Sequence, residues 1–121
     1  MGDLYTEKVQ QLLYLSIEKA KELNHFQVDV CHLLDSFLDD SSSMLCNVFN
    51  KIGVSISRVK GIVTNYISSI RKENNVDDVR MSYDLSLLIN NAESISKKMN
   101  DKYVSSEHLV LALFSFLIEL I

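Results

Sequence analysis

His25, Cys31, His32, Cys46 and His108 are the side chains of this sequence most suited to metal or nucleophile chemistry. A zinc centre needs about four nitrogen or sulfur ligands, normally supplied in pairs such as C-x-x-C or H-x-x-x-H. Neither spacing occurs. Cys31 adjoins His32, and neighbours in sequence point in different directions around a helix, so the thiol has no base beside it. No metal ligand and no catalytic residue is assigned, and the chain is not read as an enzyme. The two cysteines are expected to be buried free thiols, since isolated cysteines in a helical chain rarely pair. His32 and His108 are expected in the first turns of two helices, where each ring packs and bonds to nearby backbone.

These two histidines lie in segments that repeat. HFQVDVCHLLDSFL (25–38) and DKYVSSEHLVLALF (101–114) share Val28 with Val104, His32 with His108, and Leu33 with Leu109. The same offset, 76 residues and ungapped, relates the stretches upstream. Val9, Leu12, Leu13, Ser16, Ala20 and Leu23 recur at the i, i+3, i+4, i+7 spacing of one helical face, and Leu85, Leu88, Ile89, Ala92, Ser96 and Met99 repeat it. Thr6 and Ser82 stand at the N-cap of these long helices, Asp29 and Ser105 at that of the helices that follow. Between the copies, Met44, Leu45, Val48, Phe49 and Ile52 form a helical stripe that ends at Gly53, a residue suited to the left-handed position after a helix. Ile56, Val59, Ile62, Val63, Tyr66, Ile67 and Ile70 line the next helix. Lys72–Val79 is polar, lacks either period, and reads as a loop.

The totals agree with helices. The 121 residues include three glycines and no proline, too few turn formers for a sheet-rich domain, so the fold class is all-α and the count is one domain. Net charge is −4 and the 12 basic residues form no patch, which argues against a nucleic-acid partner. The opening MGDLYTEKV lacks the basic and apolar regions of a secretory signal. LVLALFSFLIELI is too short to span a bilayer and carries Glu119, so a core helix is expected there and no membrane association.

Residues 5–38 and 81–114, with their paired H-L-[LV] segments and the upstream T-E-K, resemble the two repeats of the Clp amino-terminal domain, closest to the ClpB type of AAA+ disaggregase. The resemblance implies two pseudo-twofold-related repeats packed as a helical bundle: repeat one at about 5–72, a linker at about 73–80, and repeat two at about 81–121, stopping after its first two helices. It implies a non-catalytic domain that recognises unfolded or aggregated clients through apolar surface between the repeats. ATP and magnesium would be handled by modules elsewhere in a longer, hexameric protein, since Gly2, Gly53 and Gly61 open no G-x-x-x-x-G-K-[ST] loop. The alternative is adaptor docking, as in ClpA- or ClpC-like partners of a protease; a purely oligomerising role is a third reading. The setting implied is intracellular, in the cytosol or in a plastid or mitochondrion after removal of a transit peptide. Where the family commonly has a D-P-E-H turn, this sequence has Asp29-Val30-Cys31-His32, so that helix is expected to start less firmly. The missing last helices would leave SFLIELI uncovered, favouring a domain dimer or a swapped helix.

Two sets of candidate binding residues follow. Thr6, Asp101 and Glu107 match positions that resemble a functional surface cluster in ClpB; each also suits an ordinary helix-end role. Tyr14, Leu15 and Leu87 are apolar residues off the core stripes, suited either to packing between the repeats or to lining a client groove.

Overall fold

The computed structural model describes residues 4–120. Gly2 and Ile121, named above, lie outside them. Six helices are found among the described residues: α1 (Glu7–Glu22), α2 (Val30–Asp39), α3 (Met44–Ile52), α4 (Ile56–Ser69), α5 (Tyr83–Lys98) and α6 (Ser106–Leu120). Two-residue strands β1 (Gln27–Val28) and β2 (Arg80–Met81) pair in parallel.

The long helices start and stop alike. Thr6 Oγ1 accepts the Val9 amide at 3.3 Å, and Ser82 Oγ accepts that of Leu85 at 3.1 Å. Each ends in a Schellman turn, with Asn24 and Asn100 in the left-handed region at φ 60°. The His25 amide donates to Ala20 O at 2.9 Å and the Asp101 amide to Ser96 O at 2.8 Å, satisfying carbonyls the helix leaves free. The buried stripe of α1 is Val9, Leu12, Leu13, Ser16 and Ala20; that of α5 is Leu85, Leu88, Ile89, Ala92 and Ser96.

Each repeat is stitched into the other. In parallel β pairing Val28 opposes Met81, and an isolated bridge sets Tyr5 against Val104. Subtracting the offset from Met81 gives Tyr5, and adding it to Val28 gives Val104, so the two bridges are images of each other. Their bonds match as well: Ser82 N–H to Val28 O at 2.9 Å, Thr6 N–H to Val104 O at 3.0 Å. The segment leading into each long helix is thus held by the helix-to-helix link of the opposite repeat, which is the pseudo-twofold in hydrogen bonds.

The core centres on α2, which packs against α1, α3, α4 and α5 and buries Val30, Cys31, His32, Leu33, Asp35, Ser36, Phe37 and Leu38. A helix enclosed on nearly all sides must be apolar nearly all round. Among its buried polar residues Asp35 is the charged one, 4% exposed, and it is held by Lys60 Nζ at 3.0 Å and Lys19 Nζ at 3.6 Å. Lys60 also reaches Asp39, which ties α4 to α2. Phe49 of α3 meets Phe114 of α6 edge-on, with centroids 6.3 Å apart, joining the repeats at the other end.

Three expectations need correction. α2 does not start weakly: Asp29 Oδ1 accepts the Val30 amide at 2.7 Å, and His32 Nδ1 accepts the Asp29 amide at 2.9 Å, forming a capping box in which the imidazole replaces the usual acid. The stripes of α3 and α4 are narrower than their apolar residues suggest, because Ile52 (61%), Ile62 (64%) and Tyr66 (58%) face outward. Met44 and Met99 are exposed too, while Cys46 is buried in place of Met44.

Asp29 Oδ1 also accepts the Ser82 hydroxyl at 2.7 Å, so one carboxylate caps α2 and grips the start of α5. Replacing it (D29A) is expected to cost about 1–2 kcal/mol in urea unfolding, the loss typical of an N-cap. A double-mutant cycle with S82A should show a coupling of about 0.5 kcal/mol or more, because the two changes remove one shared bond.

Candidate functional site: two adjoining apolar grooves

Beside α2, the exposed faces of α4 and the ends of α5 and α6 enclose a groove of about 510 Å³. Val30, Leu34, Ile62, Val63, Tyr66 and Phe116 form its apolar lining, with Asp29 and Asp84 among its lining residues. Ile62 and Tyr66 stand one turn apart on α4, which the Lys60 contacts fix against α2, so these exposed side chains are presented on a rigid support. A second groove of about 460 Å³ lies between α5 and α6 and shares Asp84 and Phe116 with the first. Leu87, Leu88 and Ala112 line it, along with Glu119. Every charged side chain lining the pair is acidic: Asp29, Asp84 and Glu119. The first groove also contains Cys31, whose thiol burial pushes up to about 12, with Asp29 adding to the effect. Burial and the nearby Asp29 carboxylate favour its neutral thiol form.

The sequence-based candidates are distributed over the surface. Leu87 is 46% exposed and lines the second groove. Leu15, also 46% exposed, lines a separate hollow of about 240 Å³ with Glu18, Lys19 and Asp35. Tyr14 is 60% exposed and its hydroxyl donates to Glu18 Oε1 at 2.9 Å. All three are partly exposed surface residues and lie outside the buried core. Contacts between the repeats include the strand pairs, the packing of α2 on α5, the Asp29–Ser82 bond and Phe49 with Phe114.

Thr6, Asp101 and Glu107 gather around one link. The Thr6 amide is bound to Val104 O, and Val104 lies three residues from both Asp101 and Glu107. Thr6 caps α1, Glu107 is exposed in the first turn of α6, and Asp101 Oδ2 pairs with His108 Nε2 at 2.8 Å. Both repeat histidines take the architectural role expected of them: His108 Nδ1 accepts the Ser105 amide at 2.8 Å, as His32 accepts that of Asp29. His25 Nδ1 lies 3.0 Å from His32 Nε2. No group of three or more His, Cys, Asp or Glu side chains among the described residues is arranged to hold a metal.

Sequence reasoning missed Ile62, Tyr66 and Phe116. The signal available for the first two was the apolar arc of α4, which has seven apolar residues from Ile56 to Ile70, wider than one packed neighbour covers.

Residues 4–116 match the family model described as the Clp repeat (R) N-terminal domain. The chain belongs to this family. Chaperone protein ClpB 2 of Synechocystis sp. is 33% identical over 109 residues, covering 89% of this chain and 12% of that protein. Chloroplastic ClpB2 of Oryza sativa subsp. japonica is 34% identical over 108 residues, covering 88% and 11%. The chain therefore spans only 11–12% of the length of these relatives. In structure it is similar to the Hsp104 N-terminal domain of Candida albicans, at TM-score 0.83 and 24% identity over 90% of this chain and 72% of that one. It is also similar to the ClpV N-domain solved in complex with a VipB peptide, at TM-score 0.77 and 21% identity over 93% and 69%. At such identities these structures speak to the fold, and they place this Clp repeat domain's helices in the family arrangement. No helix among its described residues is long and apolar enough to cross a membrane.

Cys31 and Cys46 are buried and free. In the native domain at pH 8 both are expected to resist iodoacetamide and to react together once urea unfolds the chain, as read by intact mass. Rapid native labelling of Cys31 would contradict its placement.

Proposed function

We propose that this domain recruits unfolded or aggregated polypeptide for a ClpB-like disaggregase, and that the adjoining grooves lined by Ile62, Tyr66, Leu87 and Phe116 are where clients bind. The supporting observation is their composition: exposed apolar side chains on rigid helices with acids as the only charged lining residues. Apolar contact is non-directional and accepts many sequences, as a client surface must. Asp29, Asp84 and Glu119 favour segments in which a lysine or arginine accompanies the apolar residues. Modest affinity suits the role, because a tight grip would oppose handover. The Clp repeats in this reading run from about 5 to 72 and from about 81 onward, joined by the loop at about 73–80.

Titration of the domain with labelled, permanently unfolded polypeptide is expected to give saturable binding followed by anisotropy. The pair I62S and L87S should weaken it about tenfold or more, while L15S, in the separate hollow, changes it less than about threefold. Equal losses from all three positions would move the site away from these grooves.

A second reading has a specific observation in its favour. Thr6 is bonded to Val104, which lies three residues from both Asp101 and Glu107 in the chain, and a ClpV N-domain has been solved with a VipB peptide. Docking of a folded adaptor there would be lost in E107K while unfolded-polypeptide binding persisted. Nucleotide chemistry would belong to other modules of a longer, hexameric protein. ATP and magnesium would be bound by those modules; here Gly53 is the left-handed cap of α3 and Gly61 lies within α4. Pairing of domains through α6 and residence in the cytosol, a plastid or a mitochondrion complete the reading; relatives include chloroplastic and mitochondrial ClpB proteins.

A further inference from the structure

The two repeats put different chemistry at one equivalent position. In each, the Schellman turn closing the long helix places residue 25 or 101 against the histidine of the next helix. His108 Nε2 meets a carboxylate whose side chain is 46% exposed. His32 Nε2 meets the imidazole of His25, with the rings 0% and 1% exposed.

The donors fix where the protons sit. Asp29 N–H donates to His32 Nδ1, so that nitrogen is bare and the neutral ring carries its hydrogen on Nε2. That N–H donates to His25 Nδ1, which leaves the hydrogen of His25 on its own Nε2. His25 Nε2 is the one buried side-chain nitrogen or oxygen without a partner among the described residues. All donors in the relay point one way, and no further proton fits. A proton on His25 Nδ1 would oppose two N–H groups across 3.0 Å, and one on His32 Nδ1 would oppose the Asp29 amide. Lys72 near His25 and Lys19 near His32 also disfavour a cation; Asp29 and Asp35 near His32 favour one. Burial outweighs them. With His25 adding to it, burial holds His32 down to about 4, and burial with Lys72 lowers His25.

The ring pair brackets β1, since His25 precedes Gln27–Val28 and His32 follows. We propose that the His25–His32 pair is an acid-labile latch: the neutral pair holds β1 against β2, and acid opens this seam while the equivalent seam beside Asp101 stays closed. The sign follows from linkage. Unfolded imidazoles take up protons near pH 6.5, whereas the folded pair resists them, so its stabilisation is complete above about pH 6.5 and is lost as pH falls toward 4. With His32 held at about 4 in the closed seam and near 6.5 once the seam opens, that group lowers the equilibrium constant for closing the seam about thirtyfold between pH 7.5 and 5.0.

Amide hydrogen exchange on the 121-residue chain, corrected for intrinsic rates, reads the two seams separately. Between pH 7.5 and 5.0 the amides of Arg80 and Ser82, bound to Phe26 O and Val28 O, should lose about tenfold or more of their protection. Those of Thr6 and Val104 should change less than about threefold. H25D, which copies Asp101 and offers His32 a carboxylate, should reduce the response of Arg80 and Ser82 to that of Thr6 and Val104. Should H25D not fold, the wild-type comparison decides: equal loss in both seams, or loss in neither, overturns the latch. So would ring resonances of His25 and His32 that titrate near pH 6.5 while Arg80 and Ser82 remain protected.

Discussion

The fold depends on a reciprocal backbone exchange: the amide of Ser82 is received by Val28 of the other repeat, and the amide of Thr6 by Val104. Each of these donors belongs to an N-cap residue, so one short pairing sets both where a long helix begins and which repeat it begins against. Neither two-residue pairing would persist alone, because so short a ladder cannot offset the entropy of ordering its strands. They persist because the apolar stripes of α1 and α5 bring the segments together, and because Asp29 fastens Ser82 to the cap of α2. Packing supplies most of the energy, and the seams supply the register.

Rigidity at the seams explains why apolar side chains can stay outside the core. α2 is enclosed by four helices and the part-buried Lys60–Asp35 contact pins α4 to it, so Ile62 and Tyr66 cannot turn inward without breaking that ion pair. Phe116 separates two grooves whose other walls come from different repeats. The duplicate element therefore does more than repeat a packing solution. It creates a junction at which surfaces of both repeats meet, and there the exposed Ile62, Tyr66 and Leu87 line two adjoining grooves.

Duplication also provides a comparison within one molecule. Positions 25 and 101 receive the same backbone turn and face the same histidine, yet one presents an imidazole and the other a carboxylate. Geometry common to both belongs to the architecture; chemistry found in one is a property of that repeat. By this criterion His32 and His108 are architectural through their Nδ1 contacts, and Asp101 is architectural in part, since one of its oxygens is engaged by His108.

Much was legible from the chain alone. Ungapped recurrence of the stripe beginning at Val9 and Leu85 determined two equivalent helices, because helical periodicity and capping are local properties that residue types express directly. The first-turn placement of His32 and His108 followed the same logic. What sequence could not supply was which apolar residues each helix has neighbours to cover. Ile62 and Tyr66 continue the pattern of Val63 and Ile67 and differ only in what lies opposite. Likewise, His25 and Asp101 are unrelated in type, and their shared task exists only once a Schellman turn carries each to its histidine. Local chemistry set the elements and their ends; the grooves and the histidine pair were decided by contacts between residues distant in the chain, which periodicity does not encode.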